Sequence, residues 1–162
     1  MVSAVPEQST VNLGETFDVD IWVEDVNDLY GVDLDMFYDN TLFDYVGFTG
    51  GDFLTSNGDS TFVIDPLVNE SMGSVESYVE SILSAAQGVS GDGLLLSLTF
   101  EAISYGTGQF TVDGMLGDSL FQEIACDYLP GEVTVAVPEP ATMCGVGFLA
   151  AGLFAGLRKK RK

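Results

Sequence analysis

Carboxylates are the side chains through which this chain could act chemically. Its 162 residues include 25 Asp or Glu, five Lys or Arg and no His, which gives a formal net charge of −20 at pH 7. The basic residues all stand in the run Arg158–Lys162, so residues 1–157 contain every carboxylate and no cationic side chain. Catalysis through His, a Schiff-base lysine or an arginine clamp is excluded for that region. Nucleic acid is excluded as a partner, because binding its phosphates takes clustered Lys and Arg.

Calcium binding is one use of so many carboxylates. Asp25 and Asp28 flank Asn27, and Asp59 follows Asn57-Gly58, so both stretches offer hard oxygen ligands. Neither has the twelve-residue EF-hand order that ends in a bidentate Glu. Asp25, Asp28 and Asp59 therefore remain weak metal candidates. Diffuse and weak binding of calcium or magnesium, which would screen the self-repulsion of the acidic region, is the favoured prediction, and no other cofactor is expected.

Glycoside hydrolysis is the enzymatic reaction that carboxylates alone could catalyse, since it needs only a suitably spaced pair of Asp or Glu side chains. A carbohydrate-binding or carboxylate-dependent carbohydrate-active domain is thus the alternative function. Trp22, the single tryptophan, falls on the outer face of its predicted strand. It could stack on a sugar or pack against a neighbour, and packing is favoured because Trp is usually well buried. We expect no enzymatic activity.

The C-terminal segment has the pattern of a membrane span. Residues 141–157 carry no charge and are followed at once by five basic residues. As a helix, they would extend roughly 25 Å, close to the ~30 Å hydrocarbon core. The positive-inside rule places the basic run in the cytoplasm and the acidic region across the membrane. A buried core helix is the less favoured alternative. Cys126 and Cys144 would then be separated by the membrane interface, so no disulfide between them is expected.

The residues around this span resemble a known sorting signal. Val137-Pro138-Glu139-Pro140, an apolar span and a terminal Arg/Lys cluster, in that order, are similar to the PEP-CTERM signal of exopolysaccharide-producing Gram-negative bacteria. The resemblance implies processing by an exosortase, an integral-membrane enzyme resembling cysteine transpeptidases. It implies recognition through Pro138, Glu139 and Pro140, a span over 141–157, and a membrane stop formed by Arg158, Lys159, Lys160, Arg161 and Lys162.

The signal also implies a location. The protein is expected to be exported, anchored in the inner membrane until processing, and then placed at the cell surface or in the extracellular matrix. Residues 1–15 lack the basic and apolar segments of a signal peptide, so we expect the export signal to precede this sequence.

The acidic region is patterned as strands. Apolar and polar residues alternate over 17–24, 32–38 and 94–102, which predicts strands with one buried face. Turn signals are predicted at 26–28, 49–52, 57–59, 90–93 and 105–108, and later strands at 110–112, 116–124 and 132–137. Residues 75–83 fit helical spacing, but Val75, Val79 and Leu83 also share one face of a strand, and we favour a strand. The pattern predicts an all-β sandwich.

Two stretches of this region resemble cohesin-type modules. VNLGETFDVDIWVEDVNDLYGVDLDMFYDNTLFDYVG and GDGLLLSLTFEAISYGTGQFTVDG carry the likeness, which spans residues 2–136. It implies an immunoglobulin-like jelly roll of about nine strands that binds dockerin modules without catalysis. Asp33 matches the family's acidic residue that hydrogen-bonds the dockerin helix, and Gly31 stands where the family has Asn. Asp33, Asp35 and Glu80 are therefore the predicted partner-binding residues.

The sequence thus predicts two parts. Residues 1–136 form a cohesin-like β-sandwich, and residues 137–162 form the sorting signal with one transmembrane helix. The predicted function is adhesion to a dockerin-like protein or an exopolysaccharide in the extracellular matrix.

Overall fold

The computed structural model describes residues 1–83 and 87–138. They form twelve strands, which run in chain order as β1 (Val2–Pro6), β2 (Thr10–Asn12), β3 (Thr16–Tyr38), β4 (Phe43–Gly50), β5 (Ser60–Ile64), β6 (Leu67–Asn69), β7 (Ser74–Leu83), β8 (Val89–Ala102), β9 (Gly106–Asp118), β10 (Glu123–Ile124), β11 (Tyr128–Leu129) and β12 (Gly131–Ala136). The all-β prediction is confirmed. Within these residues, no helix is long and apolar enough to cross a membrane. The predicted span at 141–157 lies outside the described residues.

Strand β3 is the organising element of the sandwich. Its first half, 16–23, pairs with β8 on one side and β1 on the other. Its second half, 29–38, pairs with β7 and β9. One layer therefore contains β4, β8, the first half of β3, β1 and β11, and the other contains β5, β6, β7, the second half of β3, β9, β12 and β2. Strand β3 therefore runs through both layers.

The predicted turns at 26–28 and 90–93 are wrong as chain reversals. Asp25 and Asp28 adopt left-handed backbone conformations, with φ of 52° and 59°, and the register between β3 and β8 shifts around them. The Asp25 N–H donates to Asp92 Oδ1 at 2.7 Å, and the Asp28 N–H donates to Ser90 Oγ at 2.9 Å. These bulges bend β3 from one layer into the other without ending it.

The buried faces follow the predicted alternation through most of β3. Phe17, Val19, Ile21 and Val23 point inward from its first half, and Val32, Leu34, Met36 and Tyr38 do so from its second half. In β8, an extra residue at Leu95 shifts the register, so Leu94 leaves the buried face that Leu96 keeps. The prediction for Leu94 was therefore wrong.

Strand β7 is confirmed as a strand, but its predicted face is not. Between Val75 and Tyr78 it has one more residue than β3, and Ser77 there has a φ of 61°. This bulge reverses the alternation beyond it. Tyr78 and Ile82 are buried, whereas Leu83 is exposed. The prediction of one strand over 116–124 was also wrong, because a turn separates β9 from β10 within that range.

An aromatic cluster fills the core between the layers. Phe43 and Phe100 each lie 4.8 Å from Phe110, measured between ring centroids, and Phe17 lies 5.5 Å from Phe43. Such offset and edge-to-face pairs add to the free energy gained from burying the rings. This packing holds the two layers together and fixes the outward face of each.

Candidate partner-binding face

The outward side of β5, β7, β9 and the second half of β3 carries exposed apolar side chains around a carboxylate. We call this surface the apolar–acidic face. One cross-strand row runs Ile64, Val79, Asp33 and Met115, since each is the register partner of the next. Directly opposed residues in a sheet point to the same side. The row therefore presents Asp33 between apolar neighbours on both sides.

The apolar members of this face are unusually exposed. Phe62 is 53% exposed, Met115 51% and Ile64 47%. Contiguous exposed apolar surface rimmed by polar groups is typical of protein-binding sites. The arrangement is suited to docking a second protein.

Asp33 is at the centre of the face and is exposed. Among the described residues, none donates a hydrogen bond to its carboxylate. The register with β7 and β9 fixes its position through the backbone. Its oxygens are thus free to accept hydrogen bonds from a partner.

Asp35 has a structural role on the same strand. Its Oδ1 accepts a hydrogen bond of 2.7 Å from the Ser77 N–H, in the bulge of β7. Asp35 also lies opposite Asp113 of β9. The carboxylate therefore stabilises the bulge, which leaves it less available to a partner than Asp33.

Glu80 points into the sandwich and away from Asp33. It is only 4% exposed, and its Oε2 accepts a hydrogen bond of 2.8 Å from the Tyr78 hydroxyl. Burial is the main cause, and this hydrogen bond the second, of a Tyr78 phenol pKa that lies well above its ordinary value. The one-residue bulge at Ser77 explains why the Glu80 side chain points inward. The structure therefore does not bring the three predicted acids together on one exposed surface.

A groove of about 250 Å³ opens at one end of the apolar–acidic face. Gly31 and Gly117 are cross-strand partners and have no side chains to fill it. A Cβ placed on Gly117 would meet nothing closer than the Gly31 carbonyl oxygen at 3.9 Å. Beside them, the ring of Phe121 lies edge-to-face with Tyr30, at a centroid distance of 6.0 Å. The groove is therefore a cleft with an aromatic pair along one side.

The turn between β9 and β10 positions Phe121. Asp118 Oδ1 accepts hydrogen bonds of 2.8 Å from the N–H groups of Leu120 and Gln122. The Phe121 N–H donates to the Asp118 carbonyl, and Phe121 itself has a φ of 60°. Non-glycine residues rarely adopt this conformation. The turn thereby presents the ring at the groove, where it is 87% exposed.

The metal candidates do not form a site in the part of the chain that the structure describes. Within residues 1–83 and 87–138, no cluster of three or more Asp, Glu, Cys or His side chains could hold an ion. Asp28 accepts hydrogen bonds from Ser119 and from the Gly88 N–H, which hold the pKa of its carboxyl below the ordinary value. Asp25 lies in the same bulged region of β3, whereas Asp59 stands immediately before β5. The Asp28 carboxylate thus links β3 to the segments that contain Gly88 and Ser119.

The remaining predicted residues lie elsewhere. Trp22 is half-buried in the other layer, opposite Ser3 and Leu94. Cys126 is half-buried and packs against the core. Pro138 is exposed at the end of the described chain. Glu139, Pro140, Cys144 and the basic run lie outside the described residues.

Sequence reasoning missed the apolar residues and the groove. Phe62 and Ile64 belong to a short run, Phe62-Val63-Ile64, in which apolar residues occupy both faces of an edge strand. That lack of alternation was an available signal. Phe121 was assigned to a strand, because its apolar character fits one equally well.

Comparison with known proteins agrees with this architecture. A model of the cohesin domain matches residues 1–135. The chain is similar to the type II cohesin dyad of the adaptor scaffoldin ScaA from Acetivibrio cellulolyticus, with 14% identity and a TM-score of 0.69; 85% of this chain is covered but only 49% of that two-module chain. It is also similar to a non-cellulosomal cohesin from Archaeoglobus fulgidus, with 14% identity, a TM-score of 0.65 and coverage of 85% and 93%.

A third similar structure is a type I cohesin–dockerin complex from Clostridium thermocellum. Identity is 16% and the TM-score 0.65, with 84% of this chain and 99% of that chain covered. Among curated proteins, no sequence relative is found. Because the cohesin model covers most of the chain, including all the strands described except the last residue of β12, the chain belongs to the cohesin domain family, whose modules bind proteins and do not catalyse reactions.

Proposed function

We propose that this chain is an adhesion module that binds a dockerin-like protein on its apolar–acidic face. The observation that carries the proposal is the cross-strand row of Ile64, Val79, Asp33 and Met115. Membership of the cohesin family supports it, as does the dockerin found bound to the similar cohesin from Clostridium thermocellum.

The two kinds of side chain on the face have different roles in binding. Burial of Phe62, Ile64 and Met115 by a partner supplies free energy in proportion to the apolar area removed from water. Asp33, once enclosed, selects for a partner that brings a donor or a cation, since a buried carboxylate without one is costly. The face therefore favours a partner with an apolar surface and a basic or hydrogen-bonding group at its centre.

A binding titration tests the proposal. Dockerin-bearing proteins encoded by the producing organism are expressed singly and titrated by calorimetry with the full chain. We expect at least one to bind with a one-to-one stoichiometry and a negative heat-capacity change, which is the mark of apolar burial. Absence of binding across the whole set would contradict the proposal.

We also propose that residues 137–162 deliver the module to the cell surface or extracellular matrix through exosortase processing. The order of Val137-Pro138-Glu139-Pro140, an uncharged segment and a basic run supports this. Strand β12 ends at Ala136, and Val137 and Pro138 beyond it are exposed, which supports access of an enzyme to the motif. Residues 1–138, which such processing would retain, contain no Lys or Arg.

Intact mass spectrometry of protein recovered from the producing cells tests the processing. We expect a mass that lacks the tail from about Glu139 onward, because the motif is the recognition element. Protein from cells lacking the exosortase is the control, and it should retain the tail. A full-length mass in normal cells would contradict the proposal.

A further inference from the structure

The groove at the end of the apolar–acidic face combines an apolar interior with an acidic rim. Gly31, Gly117 and Met115 contribute backbone and apolar surface. Asp33, Asp118 and Glu123 also line it. A ligand that fits must therefore be apolar along its length and positively charged at its end.

The acidic rim has no counter-charge within the described chain. Residues 1–83 and 87–138 contain no Lys, Arg or His, and the terminal ammonium of Met1 donates to the Glu24 carbonyl. The carboxylate of Asp33 receives no hydrogen bond from the described residues. A cation that complements this rim must therefore come from outside the described residues, and a protein partner is a suitable source.

Phe121 adds a second requirement. Its ring is 87% exposed, although the surrounding turn holds its backbone in a conformation that side chains rarely adopt. Unusual backbone conformations that persist are concentrated at binding and switch sites. An exposed ring beside carboxylates attracts a cation to its face.

We infer that this groove receives one arginine side chain of the protein partner. The inference rests on the proposed function and extends it to a specific residue type. The methylene stem lies along Gly31 and Gly117, and the guanidinium stacks on Phe121 while it donates to the rim carboxylates. Arginine fits better than lysine, because its planar head both stacks on rings and donates in a fork.

Amide NMR with a small probe tests the inference without the partner. The ¹⁵N-labelled chain is titrated with N-acetyl-arginine methylamide, and in parallel with N-acetyl-citrulline methylamide, which has nearly the same shape but no charge. We expect saturable shifts of the Gly31, Gly117 and Phe121 amides at millimolar arginine probe. The citrulline probe should shift them at least several-fold less.

Two variants test whether the amide shifts arise from binding of the arginine probe in the groove. Gly117→Val fills the groove at a position with open space around the new Cβ, and Phe121→Ala removes the ring without touching a strand. Both should abolish the shifts. Val46→Ala removes an exposed apolar side chain from the other layer and should leave them unchanged.

The outcomes separate this inference from the proposed function. Equal shifts with both probes, shifts spread over the whole acidic surface, or unchanged shifts in both groove variants would overturn the arginine site. If dockerin-like partners bind Gly117→Val as tightly as the unmodified chain, the site is likewise overturned while the proposed function stands. If the arginine probe binds as expected and no partner binds, the site stands and the proposed function fails.

Discussion

Replacing Asp33 with lysine is expected to weaken binding of the dockerin-like partner by about 30-fold or more. Asp33 lies at the centre of the apolar–acidic face, and truncating a central, desolvated residue of an interface typically costs about 2 kcal/mol or more. Charge reversal adds repulsion of any cation that the partner brings. Isothermal calorimetry with the unmodified chain and the Asp33→Lys variant measures the loss.

Asp44→Lys is the matched control. Asp44 is an exposed aspartate of β4, in the other layer, so its reversal changes the net charge by the same amount. It should alter the dissociation constant only slightly. Equal weakening by both substitutions would show that net charge alone governs binding, and would remove the special role of Asp33.

Replacing Phe100 with alanine is expected to lower the free energy of unfolding by about 3–5 kcal/mol. Phe100 is 1% exposed, and its ring centroid lies 4.9 Å from that of Tyr38 and 4.8 Å from that of Phe110. Its loss leaves a cavity where the two layers meet. Since domains are stable by only about 5–15 kcal/mol, this is a large share of the total.

Urea denaturation monitored by circular dichroism measures the loss. Phe62→Ala removes the same side chain from an exposed position and should change the unfolding free energy by less than about 1 kcal/mol. Comparable destabilisation by the two substitutions would contradict the assignment of Phe100 to the central core.

The sequence predicted the strands better than their connections. Alternation at Phe17, Val19, Ile21 and Val23 is a local property, and it correctly identified the buried face. The Asn and Asp residues near 25–28 indicate positive φ, which turns and bulges share. Whether such residues reverse the chain or bend one strand depends on β8, which is distant in sequence, so a local pattern could not decide.

Local pattern and long-range strand register also decide which site residues the sequence could reveal. Asp33 follows from the family resemblance, and its exposed position suits the proposed role. Glu80 points inward because Ser77 adds one residue to β7, and a one-residue shift moves every later side chain to the opposite face. Nothing in the alternation of this segment marks Ser77 as the place of that shift. The groove depends on Gly31 and Gly117 lying opposite one another, which only the strand register specifies.

The continuity of β3 has a mechanical consequence for an adhesion module. Its second half runs through the apolar–acidic face, and its first half is hydrogen-bonded between β1 and β8 in the other layer. Tension applied by a bound partner therefore passes along one unbroken backbone into ladders on both sides of the sandwich. Releasing the strand requires many backbone hydrogen bonds to break, because β3 itself continues from one layer into the other without an intervening loop. Because β3 runs through both layers, we expect the fold to resist unfolding when a bound partner pulls on it.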